Sequence, residues 1–483
     1  MKVALCTVAM LFLFVAGTFA QKQDQSEGGR NNTMPADGSH SEQRVISHVM
    51  SCNPAPCVLS PVQPSNGGFV ANATIASNPL NPKELLLGSQ NNNCPYPSFL
   101  GFYISRDGGS TWELSCMISF AYKGQGYDPD FEPVVGYDRR GTAYIAGFYL
   151  IEDDFSSFGF EAIQKSSDGG KTWTEPTPAL GRSNSTPGYA WLAVDTSFTS
   201  PYVDTVYLAA VLAGPLGNNS INEVVVSHSN DGGATWKQAP VAPLQKYPAG
   251  DANTNIAVGS DGTVYLTWVY CDTSPNFCDD NKLHVLFSKS SDGGNTWSEP
   301  RLIVTANYIY PLPNTDNVGV ADIPIIAVDN SSGPHSGNLY VCMYNWTGCY
   351  MRVGVIRSSD SGNTESRPVP VAPVSDTHDQ FFPWLSVSPT GLVGVSWLDR
   401  RNDPANIDYQ AFAAISTDGG LSFSPNIQLT TAFSNPNHNG AGNDWMGNYT
   451  GNTWAGPNYF VAAWMDTSNG TTTQDVVGGI RLK

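Results

Sequence analysis

SRDGGSTW (Ser105–Trp112) returns along the chain as SSDGGKTW (Ser166–Trp173), SNDGGATW (Ser229–Trp236) and SSDGGNTW (Ser290–Trp297). Two looser copies follow, SSDSGNTE from Ser358 and STDGGLSF from Ser416. Successive starts are 61, 63, 61, 68 and 58 residues apart, so one unit of about 62 residues recurs. Asp-Gly flanked by alternating apolar runs, such as NEVVVSHS or LHVLFSKS, reads as a hairpin turn: the glycines accept positive φ and the Asp side chain bonds nearby amides. The Trp closing each full copy (Trp112, Trp173, Trp236, Trp297) is expected to fold its ring against the turn.

Two further strands precede each hairpin. In the fourth unit they are NTNIAVGS and TVYLTWVY, joined by SDG. Four strands per unit, with no amphipathic helix between them, predict an all-β propeller. Units begin near Asn66, Asp130, Gly188, Asp251, Val320, Phe381 and Asp444, which gives seven four-stranded blades, with six as the alternative. The last unit has only three strands before Lys483. An N-terminal strand at Arg44–Met50 is expected to supply the fourth and close the ring, removing an open sheet edge.

Outside the repeat, residues 1–20 read as a secretory signal, with Lys2, an apolar run and a small-residue end at Thr18-Phe19-Ala20. Residues 21–43 hold almost nothing to bury and read as a disordered linker, leaving 44–483 as one propeller domain. The expected setting is extracellular, as a soluble monomer with no membrane span. A net charge of −18 repels polyphosphates, so nucleic acid is an unfavoured partner. Eight cysteines remain after the signal, and proximity favours the pairs Cys52–Cys57, Cys94–Cys116, Cys271–Cys278 and Cys342–Cys349.

The pattern S-x-D-x-G-x-T-W resembles the Asp-box, or BNR repeat, of the sialidase superfamily, and the repeating units cover nearly all of residues 66–483. That resemblance implies a propeller acting on or binding glycans. Asp-boxes also occur in binding propellers, and fold alone does not fix function. In propeller enzymes resembling this one, the site lies on the face away from the Asp-Gly turns. The turn aspartates, and Asp138, Arg139 and Arg140 of YDRRG, are therefore expected to be structural.

On the opposite rim, the segments entering each blade place Asp130, Asp251, Asp322, Asp379 and Asp444 near the start of the innermost strand. Acidic groups converging on an axis raise one another's pKa, which suits a general acid. They are also compatible with Ca²⁺, although no motif requires a cofactor or names metal ligands. Loops after the second strands add Glu152, Asp153 and Asp154, and then Asp399, Arg400 and Arg401 in LDRRND; paired arginines suit a carboxylate ligand. Trp191, Trp384, Trp445 and Tyr449 offer rings for sugar faces.

Catalytic sialidases use three arginines, a Tyr–Glu nucleophile pair and an Asp acid/base. Arg44-Val45-Ile46 only partly matches their Arg-Ile-Pro, and the nearest substitutes are Arg182, Arg352 and Arg400, with Tyr449 as nucleophile. A seventh blade departs from the six of those enzymes. The sequence thus predicts a glycoside hydrolase with Asp130, Asp251, Asp379, Asp399 and Tyr449 as catalytic candidates. Arg400, Arg401, Trp445 and His378 are the candidates for binding substrate. The rivals are a non-catalytic lectin-like propeller and a polysaccharide lyase using His378 and a Tyr.

Overall fold

The computed structural model describes residues 56–483 apart from 66, 152–157, 183, 217–218, 248, 273–277, 279 and 441–444. The predicted signal, the linker and Arg44–Met50 lie outside these residues. So do Glu152, Asp153, Asp154 and Asp444.

Seven antiparallel sheets succeed one another in chain order, and each neighbours the next through its innermost strand. The first blade runs Val70–Asn78, Asn81–Asn91, Leu100–Ser105 and Glu113–Cys116 from the axis outward. The fourth runs Gly250–Val258, Val264–Cys271, Lys282–Ser290 and Arg301–Asn307. The other innermost strands are Gln125–Tyr137, Thr186–Val194, Ile325–Val328, Gln380–Val387 and Gly451–Trp454. Blades two and three each carry a fifth short strand, Phe120–Tyr122 and Gln245–Lys246. The fold is therefore a seven-bladed all-β propeller; the only helix among the described residues is a 3-10 turn at Pro436–His438.

Ring closure occurs by an N-terminal strand, but not the predicted one. Cys57–Val62 lies antiparallel to Gln474–Arg481, with Cys57 opposite Arg481 and Val58 opposite Ile480. Only residues 63–69 separate it from the first innermost strand, so a short link leads directly into blade one. Cys57–Val62 thus takes the fourth place in the last blade that the sequence reading gave to Arg44–Met50.

The Asp-Gly turns share one bonding scheme. In the first, Asp107 Oδ1 accepts from the amides of Ser110 and Thr111 at 3.0 and 2.9 Å, and Oδ2 accepts from the Thr111 hydroxyl at 2.7 Å. Trp112 Nε1 donates to the Gly109 carbonyl at 3.0 Å, which folds the ring beneath the turn as predicted. In SSDSGNTE, Ser361 stands where the other copies have the first Gly and still adopts φ +58°. The Asp360 bonds to Asn363 and Thr364 are kept there. Basic side chains tie one turn to the next: Arg106 donates to the Gly169 carbonyl at 2.9 Å and Lys165 to that of Gly232 at 2.6 Å. Arg139 and Arg140 both pair with Asp204 of the next blade.

Cys94–Cys116 and Cys271–Cys278 form disulfides, and Cys57 is also disulfide-bonded; Cys52 lies outside the described residues. The expected Cys342–Cys349 bond is absent. Hairpin register sets Cys342 opposite Val355, while Cys349 sits in the turn beyond Trp346. The four ladder positions between Cys342 and Trp346 span about 13 Å, too far for a disulfide. No helix among the described residues is long and apolar enough to cross a membrane.

Candidate functional site at the axial opening

The innermost strands do not alternate cleanly. A register shift interrupts them between Ala71 and Thr74, Phe131 and Val134, Gly188 and Trp191, Ala252 and Asn255, and Phe381 and Trp384. Inside each shift one non-glycine residue takes a left-handed conformation: Asn72 (φ 62°), Glu132 (58°), Tyr189 (50°), Asn253 (55°) and Phe382 (47°). Such a bulge re-aims its side chain, and the conformation is costly for residues with a Cβ. Its repetition in five blades at one level marks a deliberate ring around the axis.

Bonds between neighbouring blades hold this ring. The Tyr189 amide donates to Glu132 Oε2 at 2.6 Å, the Thr254 hydroxyl to the Tyr189 carbonyl at 2.9 Å, and Asn253 Nδ2 to the Asp322 carbonyl at 3.1 Å. Across the axis, Tyr449 of blade seven donates its hydroxyl to the Pro133 carbonyl of blade two at 3.3 Å. Trp191 of blade three and Trp384 of blade six meet with ring centroids 4.5 Å apart, and Tyr449 stands edge-on to Trp191 at 5.5 Å. These three rings pack together where the innermost strands converge.

Several carboxyls are raised by burial, and two on one strand stand apart by keeping part of their surface exposed. Burial, with Asp128 beside it, pushes Asp130 up to about 7. Burial also pushes Glu132 up to about 7, against the pull of the Tyr189 and Ala190 amides. Both keep part of their surface open, as do Tyr189 and Trp191. Burial, then the charge of Glu132, raises the Tyr189 phenol. Behind Glu132 lies Glu161, fully buried, with neither carboxyl oxygen bonded and its pKa well above the ordinary range through burial and Glu132.

The predicted residues disperse around this centre. Asp130 keeps part of its surface exposed on the innermost strand of blade two. Asp251 is buried, accepts from Trp268 Nε1 at 2.8 Å, and is pushed up to about 7 by burial. Asp322, equally buried, accepts the Tyr344 amide at 3.2 Å. Tyr449 is buried and well above the ordinary phenol range, through burial first and then Glu132, so its hydroxyl stays protonated as a donor.

A separate network in blade six takes most of the rest. Asp379 and Arg400 are both 0 % exposed and pair at 3.2 Å. Asp379 also accepts from the Met351 amide and Asn406 Nδ2, and Arg400 donates to the Pro313 carbonyl at 2.7 Å. Asp399 accepts from Trp397 Nε1 at 2.7 Å and from Arg401, which also reaches Asp376 and Asn426. His378 Nδ1 is 2.9 Å from Asp376 Oδ1.

The three arginines expected from the resemblance do not converge. Arg182 pairs with Glu223 at 2.6 Å, Arg352 donates to the His378 carbonyl, and Arg400 is enclosed. Trp445 stays partly open, stacks near Phe69 at 5.3 Å and donates to Asn448 Oδ1. Among the described residues no group of three or more His, Cys, Asp or Glu side chains is arranged to hold a metal ion.

Sequence reading passed over Glu132 and Tyr189. DPDFEP carries an acid two residues past Asp130 and TPGYAW a phenol one residue past Gly188, but a left-handed bulge at a non-glycine leaves no mark in the letters. Aligning the blade entries by their shared level, rather than by their first Asp, is the signal that finds both.

Neither a protein-family model nor a curated protein matches the chain. Solved structures do match. One described as a polysaccharide lyase, an ulvan lyase, superposes with a TM-score of 0.53 at 12% identity, covering 86% of this chain and 95% of that one. An α-L-arabinofuranosidase of Fusarium graminearum in complex with arabinobiose gives 0.49 at 14% identity, covering 88% and 98%. A Hadza microbial sialidase gives 0.45 at 14%, covering 83% and 75%. At such identities the likeness to the lyase is one of fold alone.

Proposed function

We propose that this protein is a carbohydrate-active propeller, specifically a glycoside hydrolase whose chemistry is carried by Asp130 and Glu132 at the axial opening. The observation that carries the reading is the pair itself: two partly open carboxyls on one innermost strand, both pushed up to about 7. Glycosidic cleavage uses one carboxylic acid to protonate the leaving oxygen and one carboxylate as base or nucleophile. The charge of Asp128 favours the protonated form of Asp130, which suits the acid. The Tyr189 and Ala190 amides favour ionised Glu132, which suits the base or nucleophile. The fold shared with a polysaccharide lyase supports the carbohydrate class.

The test is the release of reducing ends from a glycan panel by the wild type, Asp130→Asn and Glu132→Gln, over pH 4–9. A proton on one group near 7 and none on the other gives a narrow bell centred at about pH 7. Each variant is expected to lose at least about 100-fold in kcat with its circular dichroism unchanged. Glycan binding by the wild type with no turnover at any pH would replace the enzyme with a lectin-like propeller.

A further inference from the structure

We propose that the axial site takes neutral glycans and rejects sugars bearing a carboxylate, a selectivity that rests on reading this opening as the glycan site. The basis is where the fixed cations of the chain stand. Lys2, Lys22, Arg30 and Arg44 precede the described residues, and every other lysine and arginine is described. The undescribed residues after position 50 are SCNPA, N, EDDFSS, S, NN, P, TSPNF, D and AGND. They contain no base.

Many of the described cations belong to the far face: Arg106 clamps one Asp-Gly turn to Glu113 and Gly169, Arg301 another to Glu365, and Arg139 and Arg140 hold Asp204 between the first two strands of blade three. On the near side all four arginines are engaged. Arg182 holds Glu223, and Arg352 holds the carbonyls of Asp376 and His378. Arg400 is enclosed with Asp379, and Arg401 holds Asp399 and Asp376.

The three lysines on that side stand away from the opening. Lys123 lies over the Tyr122 ring at the tip of a hairpin, and Tyr122 packs on Phe160 of the third strand of blade two. Lys246 pairs across from Ile221 on the third strand of blade three, and Lys282 begins the third strand of blade four.

What faces the opening is acidic or aromatic. Asp130 and Glu132 present carboxyls, and Tyr189, Trp191 and the Phe69–Trp445 pair leave parts of their rings open. A sugar carboxylate placed there meets like charge with no guanidinium among the described residues to share it, in surroundings where burial already disfavours anions. A neutral sugar offers its apolar face to the rings and its hydroxyls to the carboxyls.

The decisive measurement is calorimetric binding at pH 7.5 of neutral arabino-, xylo-, galacto- and gluco-oligosaccharides beside sialyllactose, oligogalacturonate and its methyl ester. At least one neutral glycan is expected to bind 50-fold or more tighter than either carboxylated sugar. Glu132→Gln is expected to narrow that gap at least fivefold, because it removes the repelling charge while keeping shape. Preferred binding of sialyllactose or oligogalacturonate would overturn the selectivity while leaving the glycan site standing. Failure of every glycan to bind would overturn the site reading and the selectivity together.

Discussion

Arg400 illustrates how burial decides the role of a residue. Its sequence context, LDRRND, suggested a grip on a substrate carboxylate. In the fold it is 0 % exposed and closed against Asp379, Phe381 and the Pro313 carbonyl, with burial pushing its pKa down to about 10. Breaking such a pair strands a buried charge, so Arg400→Met is expected to cost about 3 to 5 kcal/mol, read by urea unfolding. A variant of unchanged stability that no longer binds glycan would return Arg400 to the site. Glu132 is the converse case. The sequence reading passed over it, and the bulge between Phe131 and Val134 turns it toward Tyr189. Side-chain identity was legible there; direction was not, because it depends on a backbone conformation that sequence disguises.

At the level of elements, the sequence served well wherever a local pattern suffices. Asp-Gly turns, the strand pairs flanking them and the Trp seated below each depend on neighbours within about ten residues, and the hydrogen bonds of Asp107 and Trp112 follow the pattern read from the letters. Blade starts at Asp251 and Phe381 fell within one residue of the strands Gly250–Val258 and Gln380–Val387. Closure was harder, because any short apolar segment near the N-terminus could fill the slot, and CVLSPV takes it in place of Arg44–Met50. Deleting residues 57–62 leaves Gln474–Arg481 as an open edge. The expected result is a Tm lower by about 10 °C or more and self-association in sedimentation. A monomer with an unchanged Tm would mean that another segment closes the ring.

The whole molecule combines two opposing sets of acids. Asp130, Glu132, Asp251 and Asp475 are all pushed up to about 7 by burial. Each takes up a proton on folding between its unfolded pKa near 4 and its folded value, so the stability it contributes is full at low pH and is lost as pH rises through 7. Asp231 has the opposite sign: the Thr235 hydroxyl and amide hold it down to about 2. In Asp292 and Asp418, hydrogen bonds outweigh burial and bring them to about 2 as well. Their contribution is present above pH 4 and is lost as pH falls toward 2. The net charge of −18 adds self-repulsion at high pH. The Tm measured by scanning calorimetry is therefore expected to peak at about pH 4 and to fall on both sides. A Tm that climbs steadily from pH 5 to 8 would contradict the raised acids.

The two faces of the ring carry separate duties in this account, one holding the blades and the other presenting the site. The most direct test sets Asp292→Ala beside Glu132→Gln, with Tm and kcat/KM measured on both. Asp292→Ala is expected to lose about 1 to 2 kcal/mol of stability through its missing turn bonds and to keep its kcat/KM. Glu132→Gln, which keeps an oxygen to accept the Tyr189 amide and removes a buried charge, is expected to keep or raise its Tm and to lose kcat/KM by at least about 100-fold. The reverse pattern, with turnover lost at Asp292 and kept at Glu132, would place the site on the wrong face.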